Sequence, residues 1–177
     1  MRIFISGGCK NGKSTYAQNL AKNRNNRPLY YIATMSAVDM EDDERITRHK
    51  QERAGWGFIT IEQPRDIAGI LEKCDTGGSF LLDSLTALLA NEMFTPAGDV
   101  DENACTKIAA QLSEVIYQTP NIVIVSDYIY SDAMIYDPLT ETYRKSLAYL
   151  DRIAAGLCDV VLEAAYTQII VHKGVSS

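Results

Sequence analysis

Eight residues near the start of the chain have the types and spacing of a phosphate-binding loop. Gly7-Gly8-Cys9-Lys10-Asn11-Gly12-Lys13-Ser14 reads glycine, any four residues, glycine, lysine, then serine. Glycines let the backbone wrap a phosphate chain where a Cβ would block the approach. The amide N–H groups of such a loop, and the N-terminus of the helix behind it, face the anion. Lys13 would reach the terminal phosphates and the Ser14 hydroxyl would hold Mg²⁺, the chemistry of a bound nucleoside triphosphate, GTP or ATP. The plainer alternative is a glycine-rich turn that binds nothing. Cys9 lies inside the loop, where a helix N-terminus could lower its pKa. The simpler view of it is a small filler whose backbone does the work.

Two further groups could act on the same phosphates. Ser79-Phe80-Leu81-Leu82-Asp83 is an apolar run ending in a carboxylate, the element that holds Mg²⁺ in phosphate-loop proteins, directly or through water. Asp83 could equally cap a helix beginning at Ser84-Leu85-Thr86. Residues 42–53 form a strongly polar stretch, acidic at its start and basic at its end, which suits a helix dipole. Arg45, His49 and Arg53 recur every four residues and form one stripe of two guanidinium groups and an imidazole. From spacing alone the stripe is either part of a reaction centre or one side of a solvated helix.

These groups must be positioned by a scaffold. Apolar runs predict strands at 2–6, 29–33, 57–62, 79–82, 121–126, 160–163 and 168–172. Helical patterns fall between them at 14–23, 42–54, 64–73, 85–91, 101–117 and 140–157. Several strands are continuously apolar, as strands covered on both faces are. The alternation predicts an α/β fold: a single three-layer domain over residues 1–177, phosphate-loop NTPase-like, with a mainly parallel central sheet. Ligands of such sheets bind at the carboxyl ends of the strands, just where the loop and Asp83 fall.

Composition narrows the function classes. The 177 residues, 46% hydrophobic and 23% charged, are ordinary for one globular α/β domain. No apolar run approaches the roughly 20 residues that span a bilayer. The first residues are strand-like, without a basic segment and cleavage site, so the expected location is the cytoplasm. A formal net charge of −6 argues against nucleic acid as a partner. Positive charge is local, at Lys10 and Lys13 and then Arg45, Arg48, Lys50 and Arg53, which suits a small anionic ligand. Four scattered cysteines, Cys9, Cys74, Cys105 and Cys158, have neither disulfide-framework nor zinc-site spacing.

The stretch Tyr31-Ile32-Ala33-Thr34, then Arg45-Ile46-x-x-His49-x-x-x-Arg53-x-x-Trp56, then Thr60-Ile61-Glu62 resembles the bifunctional adenosylcobinamide kinase/adenosylcobinamide-phosphate guanylyltransferase family. The opening loop and Leu81-Leu82-Asp83-Ser84-Leu85-Thr86 resemble it too. The resemblance implies two reactions on one polypeptide: phosphorylation of the hydroxyl on the aminopropanol arm of adenosylcobinamide, then transfer of GMP from GTP to that phosphate. It implies a covalent GMP carrier on the histidine matching His49. It further implies that Ala33, Thr34, Met35, Lys50, Gln51, Glu52, Arg53, Glu62 and Asp83 line the nucleotide site, and that the chain forms a homotrimer. A neutral imidazole suits the carrier role. Arg45 and Arg53 would face the equatorial oxygens of the transferring group, and Glu62 could accept hydrogen bonds from guanine or ribose.

The second half of the chain departs from the family. After the strand at 121–126, members continue Asn-Glu-Val-Gly, whereas this chain reads Asp127-Tyr128-Ile129-Tyr130-Ser131-Asp132. In the late helix, Arg144 is kept but the family's glycine and Asn-Gln pair are not. Tyr128, Tyr130 and Tyr136 either line an altered pocket for the corrinoid acceptor or pack a reshaped loop. Two other functions stay open on sequence: a kinase for another small alcohol with His49 a bystander, or a non-enzymatic GTP/ATP sensor with a degenerate acceptor site.

Overall fold

Seven strands form one sheet in the order β3-β2-β4-β5-β1-β6-β7, in a computed structural model that describes residues 1–24, 28–35, 47, 51, 53–95 and 97–175. The strands are β1 (Ile3–Gly7), β2 (Leu29–Ala33), β3 (Phe58–Glu62), β4 (Ser79–Asp83), β5 (Ile122–Asp127), β6 (Val160–Ala165) and β7 (Gln168–Lys173). Neighbours pair in parallel throughout, except that β7 runs antiparallel to β6. All seven lie within one or two residues of the runs read from sequence.

The helices are α1 (Lys13–Lys22), α2 (Ile70–Lys73), α3 (Leu85–Met93), α4 (Ala104–Gln118) and α5 (Pro138–Leu157). The region expected to form a helix over 42–54 lies largely outside the described residues. Alternate strand residues feed two separate cores, because successive side chains point to opposite faces. Ile3, Ile5, Leu29, Tyr31, Leu81, Val123 and Val125 pack with Ala17 and Ala21 of α1. Phe4, Ile32, Phe80, Leu82, Ile122 and Ile124 pack with Leu85, Leu88, Ile108, Leu112 and Leu147 from α3, α4 and α5. The sheet is therefore the middle of three layers. Nearly every apolar side chain of the central strands leaves water, at about 1.5–3 kcal/mol each, which is why those strands read as unbroken hydrophobic runs.

Several helix boundaries differ from the pattern reading, as where α4 begins at Ala104 and α3 ends at Met93, and two of the differences have a visible cause. The helix expected over 64–73 is a short 3₁₀ turn, Ile67–Gly69, leading into the four-residue α2. Asp66 takes the left-handed conformation at φ 50°, and the Gln63 side chain donates to the carbonyls of Arg65 and Asp66 at 2.6 and 2.9 Å. Those bonds hold 63–66 as a turn. At the other end of the chain, α5 starts two residues earlier than its apolar period indicates. The Asp137 carboxylate caps it by accepting from the amides of Leu139 and Thr140, with Pro138 in the first turn.

Candidate functional site

The carboxyl edge of the sheet gathers the candidate residues. In register, Gly7 lies beside Asp127 on one side and Ala164 on the other, while Ala33 lies beside both Glu62 and Asp83. The loop leaves β1 at Gly7, where a Cβ would sit 2.5 Å from the Ala164 carbonyl oxygen and 2.6 Å from Asn11 Nδ2. Only glycine fits there. Asn11 itself donates through Nδ2 to the Ala164 carbonyl, tying the loop to β6. Gly12, at φ +85°, turns the chain into α1.

Lys13 opens α1 and is 5% exposed. Its Nζ donates to the Gly8 carbonyl at 2.9 Å and forms an ion pair with the Asp127 carboxylate. One residue on, Ser14 Oγ donates to Asp83 Oδ1 at 3.4 Å. The other carboxylate oxygen of Asp83 accepts from the Tyr31 hydroxyl at 2.8 Å. Asp83 is thus a strand-end group facing the loop. The cap of α3 is its neighbour Ser84, whose side chain accepts from the Ala87 amide at 3.3 Å, so the capping role considered for Asp83 falls to the next residue. A hydroxyl and a carboxylate oxygen at this separation could share one small hard cation, since Mg²⁺ takes oxygen ligands at about 2.0–2.1 Å and fills its remaining positions with phosphate and water. Among the described residues no cluster of three or more His, Cys, Asp or Glu side chains offers an all-protein metal cage.

Arg53 stands over the Tyr31 ring, 3.7 Å from its centre, and is 6% exposed. Its Nη2 donates to Thr60 Oγ1 at 3.4 Å, and its Nη1 is buried with no hydrogen-bond partner among the described residues. A hollow of about 460 Å³ opens here between Arg53, Gly55, Gly57, Phe58 and Thr60. Trp56 lies under the Lys22 ammonium at 4.1 Å, holding this turn to α1. A guanidinium braced on an aromatic face, with an unfilled donor, can take an anionic oxygen. Thr34 faces inward. Its hydroxyl donates to the Ser84 carbonyl and accepts from the Ser84 amide, both at 2.7 Å, so its side chain braces the β4–α3 turn. Arg45, His49, Lys50 and Glu52 lie outside the described residues. Gln51 is described and exposed. The structure therefore brings together the loop, Ser14, Asp83, Ala33 and Glu62, with Arg53 joined through Tyr31.

A second polar layer lies behind the loop. Asp151 of α5, 3% exposed, accepts from the Tyr130 hydroxyl at 2.9 Å. Burial lifts its carboxyl to about 6, against the pull of hydrogen bonds from Ser126 and Tyr130. Burial likewise pushes the Tyr143 hydroxyl up to about 12. The aromatic loop after β5 is pinned by Arg144, which donates to Asp132, Glu141 and the Ile129 carbonyl at 2.9, 2.8 and 3.1 Å and stacks on Tyr136. Tyr130 packs against the core, and Tyr136 donates to Asp132 at 3.0 Å. Sequence reasoning missed Asp127 and Tyr31. The signal for Asp127 was present: an acidic residue ending an apolar strand, the same signal that marks Asp83.

Solved structures share this architecture at low sequence identity. The flagellar accessory protein FlaH of Methanocaldococcus jannaschii aligns with 97% of this chain and 77% of its own, at 14% identity and TM-score 0.52. A KaiC-like protein of Pyrococcus horikoshii aligns with 98% of this chain and 78% of its own, at 10% identity and TM-score 0.53. These show the same α/β fold, a mainly parallel sheet between helical layers. Relatives in sequence are more specific. The bifunctional adenosylcobalamin biosynthesis protein CobP of Pseudomonas aeruginosa is 30% identical over 164 residues, 91% of each chain. CobU of Escherichia coli, described in the same terms, is 30% identical over 102 residues, 57% of this chain and 55% of that one. The pattern of the CobU family, cobinamide kinase / cobinamide phosphate guanyltransferase, matches residues 3–167. The chain thus belongs to the cobinamide kinase/cobinamide phosphate guanyltransferase family and is a transferase.

Proposed function

We propose that this chain works as a single nucleotide-binding domain that phosphorylates adenosylcobinamide and then transfers GMP from GTP to the new phosphate through His49. The observation that supports this most is the arrangement behind the loop. A buried lysine opens α1, and beside it a hydroxyl and a carboxylate stand 3.4 Å apart. Lys13 and the loop amides would hold the β- and γ-phosphates. Ser14 and Asp83 would hold Mg²⁺, which spreads the charge that develops between those phosphates. Arg45 and Arg53 would take the equatorial oxygens at the α-phosphorus, with Glu62 on guanine or ribose. Ala33 to Met35 and Lys50 to Glu52 would line the rest of the site.

In the second reaction an imidazole nitrogen of His49 forms a bond to the α-phosphorus of GTP. The α–β P–O bond breaks, and pyrophosphate leaves with the electron pair. A phosphate oxygen of cobinamide phosphate then takes the same phosphorus, and the N–P bond returns its electrons to the imidazole. No described helix is long and apolar enough to cross a membrane. A cytoplasmic homotrimer goes with this reading, and a solution mass of one chain would contradict the trimer.

The test is conversion of adenosylcobinamide with ATP, GTP and Mg²⁺, followed by chromatography. Wild type should yield adenosylcobinamide phosphate and then its GDP derivative with pyrophosphate. Lys13→Ala should lose about 10²-fold or more of both activities while keeping its far-UV circular dichroism. Unchanged turnover in Lys13→Ala, or phosphorylation of other small alcohols in preference to adenosylcobinamide, would contradict the reading.

A further inference from the structure

The loop after β5 presents an apolar tip that has no task in the scheme above. Met134 is 66% exposed and Ile135 97%, and Leu139, in the first turn of α5, is 41% exposed. Exposed apolar side chains grouped in this way mark a surface that meets a ligand or partner. The tip is pinned from three sides. Asp132 accepts from the Met134 amide at 3.2 Å and from the Tyr136 hydroxyl at 3.0 Å, which closes residues 132–136 into a small ring. Arg144, 6% exposed, donates to Asp132 at 2.9 Å and to the Ile129 carbonyl at 3.1 Å, and stacks on the Tyr136 ring. Asp137 fixes the far end by capping α5. A plain connection between β5 and α5 would not require a buried guanidinium to hold an exposed loop in shape.

Position and charge say what the tip would meet. The loop starts at the nucleotide site: Asp127 lies beside Gly7 and pairs with Lys13, and the Tyr128 amide donates to the Gly7 carbonyl at 3.2 Å. The chain from Asp127 to Met134 can span at most about 25 Å, and the Arg144 contacts fold it shorter. Ala133, Met134, Ile135 and Tyr136 carry no charge, so the tip does not suit a phosphate or an acidic chain. Adenosylcobinamide brings its reacting hydroxyl to the terminal phosphate at the end of a short arm. Its bulk, a broad macrocycle with largely apolar faces, must then rest outside the phosphate loop, on the side where the arm enters. We propose that Met134 and Ile135, with Leu139, form the resting surface for the corrin macrocycle and set the affinity for the acceptor in both reactions. This rests on the reading of adenosylcobinamide as the substrate. The tip touches the body of the acceptor and not the transferring groups. It therefore acts on the binding of adenosylcobinamide and its phosphate alike, and leaves the chemistry to the phosphate loop and His49. The contact is this chain's own, because the loop follows directly on the residues where the chain departs from its family.

The experiment compares wild type with the double variant Met134→Ser/Ile135→Ser, and with Met134→Leu/Ile135→Val, which stays apolar. Binding of adenosylcobinamide is read by equilibrium dialysis through the visible absorption of the corrinoid. KM and kcat for both reactions, ATP affinity and solution mass are measured beside it. Both side chains are exposed, so the serine variant should fold as wild type does. Its Kd for adenosylcobinamide should rise about ten- to a hundredfold. KM for either acceptor should rise in step, while kcat should not fall with it. ATP affinity and mass should match wild type, and the apolar variant should bind the corrinoid as wild type does. An unchanged Kd, a loss in kcat alone, weaker ATP binding, or equally weak corrinoid binding by the apolar variant would overturn the assignment. A smaller solution mass for the serine variant would give the tip to a second copy of the chain and overturn it too. A wild type that binds adenosylcobinamide without phosphorylating it would overturn the kinase reading alone, because dialysis still reads the tip. A wild type that does not bind it would overturn both.

Discussion

Asp151 shows how burial turns a common residue into a pH-dependent liability. Its carboxyl, near 3.8 in the unfolded chain, is lifted to about 6 in the fold, mainly by loss of water. Between those values the folded chain holds a proton that the unfolded chain has released. Stability therefore falls as pH rises through roughly 4 to 6 and stays at the lower level above it. Two units correspond to about 3 kcal/mol. Asp151→Asn keeps an acceptor for the Tyr130 hydroxyl and removes the charge. It should be more stable than wild type at pH 7.5, by up to about 3 kcal/mol on that conversion, and nearly equal to it at pH 4. Urea midpoints at the two pH values check this, and a less stable variant at pH 7.5 would refute it. Residues of this kind differ in how far the sequence reveals them. Lys13, Ser14 and Asp83 were legible because motif spacing marks them. Asp151 was not, and Arg144 stood out, with no hint of its partners, only as a residue the family keeps. They occupy the buried face of α5 with Leu147 and Ala154, and a charged residue on an apolar stripe looks like any surface charge until the partners Tyr130 and Asp132 are known.

At the scale of elements, the site depends on how β4 turns into α3 within one residue. Thr34, just after β2, accepts from the Ser84 amide and donates to the Ser84 carbonyl, and Asp83 precedes that residue. Thr34→Val keeps the shape but leaves the Ser84 N–H without its partner, while the Ser84 carbonyl keeps the Leu88 amide at 3.1 Å. The loss should be about 1–3 kcal/mol, with weaker ATP binding because Asp83 moves. Chemical denaturation and nucleotide titration measure both. A variant as stable as wild type but weaker for ATP would assign the hydroxyl to the nucleotide instead. Strands were the most legible elements, because burial on both faces forces unbroken apolar runs. Helix ends were less so. Apolar period alone gave no view of the Asp137 cap, and it extended α2 backwards through Asp66, where the Gln63 side chain holds a turn. The aromatic loop after β5 could not be assigned from residue types either, since what fixes it is Arg144, on an element later in the chain.

For the whole molecule, alternation of strands and helices was enough to give a parallel three-layer sheet, but not the order of its strands. That order places β1 between β5 and β6, so the loop after Gly7 meets Asp127 from one neighbour and Ala164 from the other. It also sets β2 between β3 and β4, bringing Ala33, Glu62 and Asp83 level. Such register between distant segments leaves no trace in spacing: Asp83 and Asp127 both end apolar strands, and only the strand order shows that the loop after Gly7 meets Asp127. One nucleotide site at this edge would serve two chemistries, with the loop gripping the outer phosphates while His49 takes the inner one. The most direct measurement is labelling with α-³²P-GTP and Mg²⁺, comparing wild type with His49→Ala on denaturing gels after acid or base treatment. A phosphoramidate on histidine is acid-labile and base-stable, so wild type alone should carry such a label. Equal labelling of the two proteins, or none on either while cobinamide phosphate is still guanylylated, would contradict the carrier role.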